Sequence, residues 1–196
     1  MEHEYDISSL SFSPDGKYLF SIDSGLAPSF CLWNWANSSV LQHISLPQNN
    51  RTYPIRNSFI TFAKEGLIFI IENDISGYRL TLWDFNRKLT FIFLHQLDVE
   101  GYCVGLHILS QDGKDISFIT VEINSVKYWN LPKNKTTVKL YKNLRIQSTV
   151  VKTQFLPFSN ILLLLTNDGI ALFLNHEVRF VLHNILLVLG KIHQLN

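Results

Sequence analysis

What the chain has little of narrows its chemistry first. Its two cysteines, Cys31 and Cys103, stand far apart with no metal-ligand spacing, which excludes a disulfide scaffold and fits buried thiols in a reducing compartment. Charged residues make up only 17% of the sequence against 46% hydrophobic, so a disordered or supercharged tail is excluded. Lys and Arg (17) nearly cancel Asp and Glu (16). That leaves no global attraction to phosphate backbones, and no nucleic-acid partner is expected. The opening Met1-Glu2-His3-Glu4-Tyr5-Asp6 lacks a basic flank and an apolar leader, so an intracellular chain is expected. The sequons at Asn37, Asn50 and Asn134 would matter only after secretion. The most apolar stretch, Val178 to Ile192, falls short of the ~20 residues of a membrane span.

Catalytic signatures are missing as well. There is no Gly-x-Ser-x-Gly elbow. The seven histidines are scattered singly, and His176 and His183 belong to no His-Glu-x-x-His zinc pattern. Gly113-Lys114 fails as a phosphate loop, because Ile108 stands where the first glycine is needed and Asp115 replaces the Ser or Thr that binds magnesium. The close carboxylates Asp98 and Glu100 read as solvated groups. No catalytic, cofactor-binding or metal-binding residue is therefore expected, and a non-enzyme is the reading.

The chain does contain a repeat. Trp33, Trp83 and Trp129 are 50 and 46 residues apart, and Phe173 follows 44 further on. A second marker keeps step: Phe12, Phe62 and Ile108 each precede their tryptophan by 21 residues, and Phe155 precedes Phe173 by 18. Between the paired markers lie Pro14-Asp15-Gly16, Glu65-Gly66, Asp112-Gly113 and Ser159-Asn160. Such turn residues between apolar runs favour tight hairpins.

Alternation of apolar and polar residues, as in Ser9-Leu10-Ser11-Phe12-Ser13, marks half-buried strands. Unit one predicts strands at Ile7 to Phe12, Tyr18 to Ile22, Phe30 to Trp35 and Val40 to Ser45. Unit two predicts Ser58 to Phe62, Leu67 to Ile71, Leu80 to Phe85 and Thr90 to Leu94. Unit three predicts Val104 to Leu109, Ile116 to Val121, Val126 to Trp129 and Val138 to Tyr141. Unit four predicts Val150 to Leu156, Ile161 to Thr166, Ile170 to Leu174 and Val178 to Leu182. Helix content should be low.

The hairpin Leu10-Ser11-Phe12-Ser13-Pro14-Asp15-Gly16-Lys17-Tyr18-Leu19 resembles the opening of a WD40 blade. Leu80-Thr81-Leu82-Trp83-Asp84 resembles its third strand, and Trp33-Asn34 and Trp129-Asn130 look like relaxed copies. The resemblance implies an all-β, WD40-type β-propeller of about four blades of four antiparallel strands, whole or incomplete. One array is expected over residues 1–196, with blades near 5–50, 55–97, 102–145 and 148–183. Residues 184–196 would be an apolar tail or the start of a further blade. No Gly-His pair opens any blade, so the family's usual buried network of Asp, His, Ser and Trp is expected to be incomplete.

Leu32-Trp33-Asn34-Trp35 is similar to the divergent WD-repeat proteins of motile cilia and flagella. This resemblance implies a non-catalytic scaffold for other proteins, in the cytoplasm or cytoskeleton, cilium or flagellum, with axonemal partners. A WD40 adaptor in a vesicle coat or ubiquitin-ligase complex is a second reading. A propeller enzyme or small-molecule binder is a third, from a different class.

The tryptophans on third strands read as core wedges between blades, and Trp35 as part of a contact surface. Residues 123–167 hold no acid. Within them Lys127, Lys133, Lys135, Lys139, Lys142 and Arg145 form a candidate basic patch for an acidic partner, or simply keep sheet edges soluble.

Overall fold

The computed structural model describes residues 3–46, 53–63, 66–85, 91–111, 115–132, 137–156, 161–169, 171–175 and 180–181. These form four antiparallel sheets of four strands, each in chain order. The first holds β1 (Ile7–Phe12), β2 (Leu19–Asp23), β3 (Ser29–Asn34) and β4 (Ser39–Ser45). The second holds β5 (Asn57–Phe62), β6 (Leu67–Asn73), β7 (Tyr78–Phe85) and β8 (Phe91–Val99). The third holds β9 (Cys103–Gln111), β10 (Asp115–Glu122), β11 (Ser125–Pro132) and β12 (Lys139–Arg145). The fourth holds β13 (Val150–Leu156), β14 (Ile161–Thr166), β15 (Ala171–Asn175) and β16 (Phe180–Val181).

The first strands of successive sheets adjoin, β1 with β5, β5 with β9 and β9 with β13. They form the inner rim, from which the blades radiate. This is the propeller architecture the repeat predicts. Among the described residues no helix is long and apolar enough to cross a membrane.

Blade-on-blade contact sets the residue pattern. A second strand inside the array has a neighbouring sheet on each side, so both of its faces must be apolar, and all seven residues of β6 are buried. Ile68 and Ile70 point to the first blade, where they meet Phe20, Ile22, Phe30 and Leu32. Phe69 and Ile71 point the other way and meet Leu106, Phe118 and Trp129. On β10 the same alternation sends Phe118 back to blade two and Ile119 and Val121 forward to Leu162 and Leu164 of blade four. Ring pairs mark the seams: Phe20 lies 4.8 Å from Phe62 and Phe69 lies 4.9 Å from Phe118, centroid to centroid.

Each seam also carries a polar clamp from an inner strand. Ser8 Oγ and Ser58 Oγ are 2.6 Å apart. Asn73 accepts from Cys103 N at 2.8 Å and donates to its carbonyl at 2.9 Å. His107 Nε2 and Thr153 Oγ1 are 2.6 Å apart. Buried polar groups are costly unless paired in this way.

The outer strands run longer than their apolar pattern predicts. β8 extends to Val99 because its polar residues have water on one side: Asp98 takes a hydrogen bond from Arg79 Nε at 2.7 Å and from Gln96 at 3.0 Å. The hairpin between β5 and β6 of blade two depends on Gly66, whose φ is +77°, and an added Cβ would stand 2.1 Å from the Phe85 carbonyl oxygen. His176, His183, the Asp112-Gly113 and Ser159-Asn160 turns and the tail 184–196 lie outside the described residues.

Two outcomes follow from this arrangement. Phe69→Ala should lower stability by about 3–5 kcal/mol, since a fully buried ring at a seam leaves a cavity. Phe12→Ala, at a ring 55% exposed, should change it by no more than about 0.5 kcal/mol, both read by urea titration. Burial also holds His107 low, at about 4, against about 6.5 in an unfolded chain. The unfolded state therefore binds the proton first on acidification, and the stability from neutral His107 is complete above pH ~6.5 and is lost as pH falls towards ~4. In His107→Gln that segment of the stability–pH curve should flatten.

Candidate functional site

Two buried polar networks occupy matching places in blades one and three. In blade one, Trp33 Nε1 donates to Ser21 Oγ at 2.7 Å, and Ser21 Oγ lies 2.6 Å from His3 Nε2. His3 Nδ1 is 3.2 Å from Asp23 Oδ2, and Asp23 also accepts from Ser29 N at 2.5 Å and Ser29 Oγ at 2.8 Å. With Nδ1–H facing Asp23, Nε2 accepts from Ser21, and every proton points from tryptophan towards the acid. The expectation of an incomplete network is thus corrected for blade one. A Glu2-His3 pair stands where the family has Gly-His. The signal available in the sequence was His3 itself, 18 residues ahead of Ser21.

Blade three rebuilds this circuit from different side chains. Trp129 Nε1 donates to Thr120 Oγ1 at 2.8 Å, and Thr120 Oγ1 lies 3.0 Å from Tyr78 Oη. Tyr78 Oη donates to Glu122 Oε1 at 3.0 Å, and Ser125 Oγ donates to Glu122 Oε2 at 2.6 Å. Thr120 and Glu122 occupy on β10 the positions of Ser21 and Asp23 on β2, because Trp129 pairs with Phe118 as Trp33 pairs with Leu19. Tyr78 takes the place of histidine and comes from β7 of the preceding blade. Blade two keeps only part of the pattern: Ile70 holds the hydroxyl position, and Trp83 Nε1 donates instead to Thr81 Oγ1 at 3.0 Å.

Blade three adds a cation. Lys127 Nζ is paired with Glu122 Oε1, the two side chains being 14% and 11% exposed, and Nζ lies 6.0 Å from the centroid of the Tyr78 ring. A cavity of about 590 Å³ opens beside this pair, lined by Tyr102, Glu122, Asn124, Lys127, Asn143 and Arg145 among others. Its volume is that of a small-molecule site. Gly101 lines the cavity at φ +107°, a backbone conformation that favours glycine. Burial raises the Tyr78 hydroxyl well above the ordinary phenol range, so it remains a donor. Burial likewise pushes the Cys103 thiol up to about 12, which makes it an inert core group. Among the described residues no cluster of three or more His, Cys, Asp or Glu could hold a metal.

The residues singled out in the sequence are distributed as follows. Trp83 and Trp129 are each 6% exposed at seams. Trp33, Phe62, Ile108 and Phe155 are half-buried. Phe12 is exposed and meets Trp35 edge-on at 5.8 Å. Trp35 is 51% exposed and donates to the Gly16 carbonyl at 2.7 Å. Phe173 lies on β15, its side chain outside the described ones.

Four residues of the candidate basic patch are described. Lys127 points inward to Glu122. Lys139 and Arg145 are exposed on β12 and Lys142 is half-buried, while Lys133 and Lys135 lie outside the described residues. Sequence reading did not single out Glu122, Tyr78 or Ser125, each of which falls just outside the strands it predicts. Tyr78 and Glu122 are 44 residues apart, and no local pattern joins them.

No family model and no curated protein matches the chain. Solved structures do. A periplasmic gluconolactonase of Pseudomonas aeruginosa is similar at 15% identity and TM-score 0.63, over 89% of this chain and 52% of that one. A 6-phosphogluconolactonase, so titled as putative, from Bacteroides uniformis is similar at 16% identity and TM-score 0.65, over 89% and 53%. The WD40 domain of SCAP from fission yeast is similar at 8% identity and TM-score 0.59, over 89% and 41%.

The chain thus spans about half the length of these solved chains, and at such identities the likeness is one of fold. It corrects the expectation of a non-catalytic scaffold, which rested on equating this propeller with the WD40 class. The same blades are shared with lactone-hydrolysing propellers, and their shape does not place the chain outside the enzymes. Residue pattern, sheet topology and solved neighbours agree that the described residues form a β-propeller array of four blades, WD40-like in fold.

Proposed function

We propose that this chain is a propeller enzyme or small-molecule binder whose ligand occupies the cavity at the end of blade three, with hydrolytic opening of a sugar lactone as its reaction. The observation that carries the reading is the Glu122–Lys127 pair at the wall of that cavity, with Tyr78 and Ser125 each donating to the carboxylate. Lactone-hydrolysing propellers among the structural neighbours supply the substrate class.

The residues suit such a step. When substrate enters, Lys127 turns from Glu122 to the lactone carbonyl and frees one lone pair of Oε1, Tyr78 keeping the other. A water between Oε1 and the carbonyl carbon gives its proton to Glu122 as its oxygen bonds that carbon, and the carbonyl electron pair moves onto an oxygen facing Lys127. Collapse breaks the ring C–O bond, and the leaving ring oxygen takes the proton back from Glu122, giving the open hydroxy acid. Tyr78 and Ser125 are positioning residues: Tyr78 donates to Oε1 and Ser125 to Oε2, and together they fix the plane of the carboxylate. The cellular setting we propose is cilium or flagellum, supported by the similarity that the Leu32-Trp33-Asn34-Trp35 strand carries.

Glucono-δ-lactone opening, followed by base uptake at constant pH with the purified chain, should run above the buffer rate, and Glu122→Gln should lower that rate by roughly 10²-fold or more. A rate equal to buffer, together with no chemical-shift change at cavity residues on adding lactone, would overturn the proposal.

A further inference from the structure

The cavity is not electrically neutral, and its excess charge has a direction. Glu122 is the acid among its lining residues. Its Oε1 accepts from Tyr78 and Lys127 and its Oε2 from Ser125. Lys127 therefore balances Glu122, and a second cation, Arg145, is left over.

Arg145 ends β12. The β11–β12 pairing sets Ser125 opposite Arg145 and Lys127 opposite Asn143, so these four side chains share one sheet face and line one wall of the cavity. Arg145 is exposed at the mouth. The run 123–167, which supplies Asn124, Lys127, Asn143 and Arg145, contains no Asp or Glu. An unneutralised guanidinium offers a planar fork that fits carboxylate or phosphate oxygens in pairs. Asn124 and Asn143 each offer donors and an acceptor suited to hydroxyl groups.

Resting on the small-molecule reading above, we propose that the ligand carries an anionic group on a polyhydroxylated body, a sugar acid or sugar phosphate, and that Arg145 is the specificity-determining residue that holds the anion at the cavity mouth. Lys127 and Glu122 then face the body of the ligand. A carboxylate and a phosphate meet the same fork, and the test tells them apart.

The full chain is titrated with gluconate, glucose 6-phosphate, glucose and inorganic phosphate, by calorimetry and by amide chemical shifts of the cavity residues. At low salt one of the two sugar anions should bind at least about ten-fold more tightly than glucose, and the tighter of the two identifies the group. That advantage should shrink in 0.5 M salt, where screening is strong. Arg145→Gln should abolish it while leaving the weak glucose binding and the melting temperature unchanged, since the residue is exposed, and Arg145→Lys should restore part of it.

Glucose binding as tightly as the anions, with Arg145→Gln indifferent, overturns this assignment and leaves the small-molecule site standing. Inorganic phosphate matching the sugar anions also overturns it, since nothing would then read the polyol. Absence of any shift at the cavity residues with all four probes overturns both this inference and the functional reading beneath it.

Discussion

Face-to-face contact between neighbouring blades is the constraint on which everything else in this chain depends. A four-stranded sheet cannot bury its own faces. Each blade is held by apolar side chains that alternate fore and aft, and β6 shows this most fully, with Ile68 and Ile70 serving one seam and Phe69 and Ile71 the other. At about 25 cal/mol per Å² of apolar surface removed from water, such rows outweigh any hydrogen bond in the array. This is why the second strands β2 and β6 are almost wholly buried while the outer β4 and β12 alternate with exposed residues.

Polar groups are admitted at the seams only as closed circuits. In blade one the circuit runs from Trp33 through Ser21 and His3 to Asp23; in blade three it runs from Trp129 through Thr120 and Tyr78 to Glu122. Both obey one rule of proton order, since each member donates once towards the carboxylate. The substitutions in blade three have structural consequences. Glutamate is one methylene longer than aspartate and reaches the cavity at the blade end, beside Gly101. Tyrosine comes from the adjacent blade, so the circuit ties two blades together, whereas that of blade one stays within its own. A network that elsewhere only rigidifies a blade here opens onto a cavity and carries a lysine.

A shared fold does not separate binding platforms from enzymes, because the blades are a scaffold on which either kind of site can be built. What distinguishes this chain is local chemistry at one blade end: a held carboxylate, a lysine paired with it, and an arginine with no acid among the lining residues to neutralise it. These features carry the functional reading, and overall architecture supports it only by placing catalytic propellers among the neighbours.

Strand order, blade number and the alternation that makes a propeller were legible in the sequence, because they follow from spacing and from the period of two, which are local. Gly66 and the Pro14-Asp15-Gly16 turn were legible for the same reason. The strand ends were less so: β7 begins at Tyr78 and β8 runs to Val99, where solvent on an outer strand removes the apolar signal. The blade-one circuit was half legible, since Trp33 and Ser21 sit on adjacent strands but His3 precedes the first strand and bears no motif. Nothing local marked the site in blade three. Tyr78 meets Glu122 only because blade two lies against blade three, and Lys127 turns inward, out of the basic run it belongs to in sequence, because a buried carboxylate awaits it there. Sequence by itself determined the blades; tertiary structure alone decided which polar residues those blades bring together, because contacts across a seam depend on how whole sheets stack and leave no periodicity in the chain.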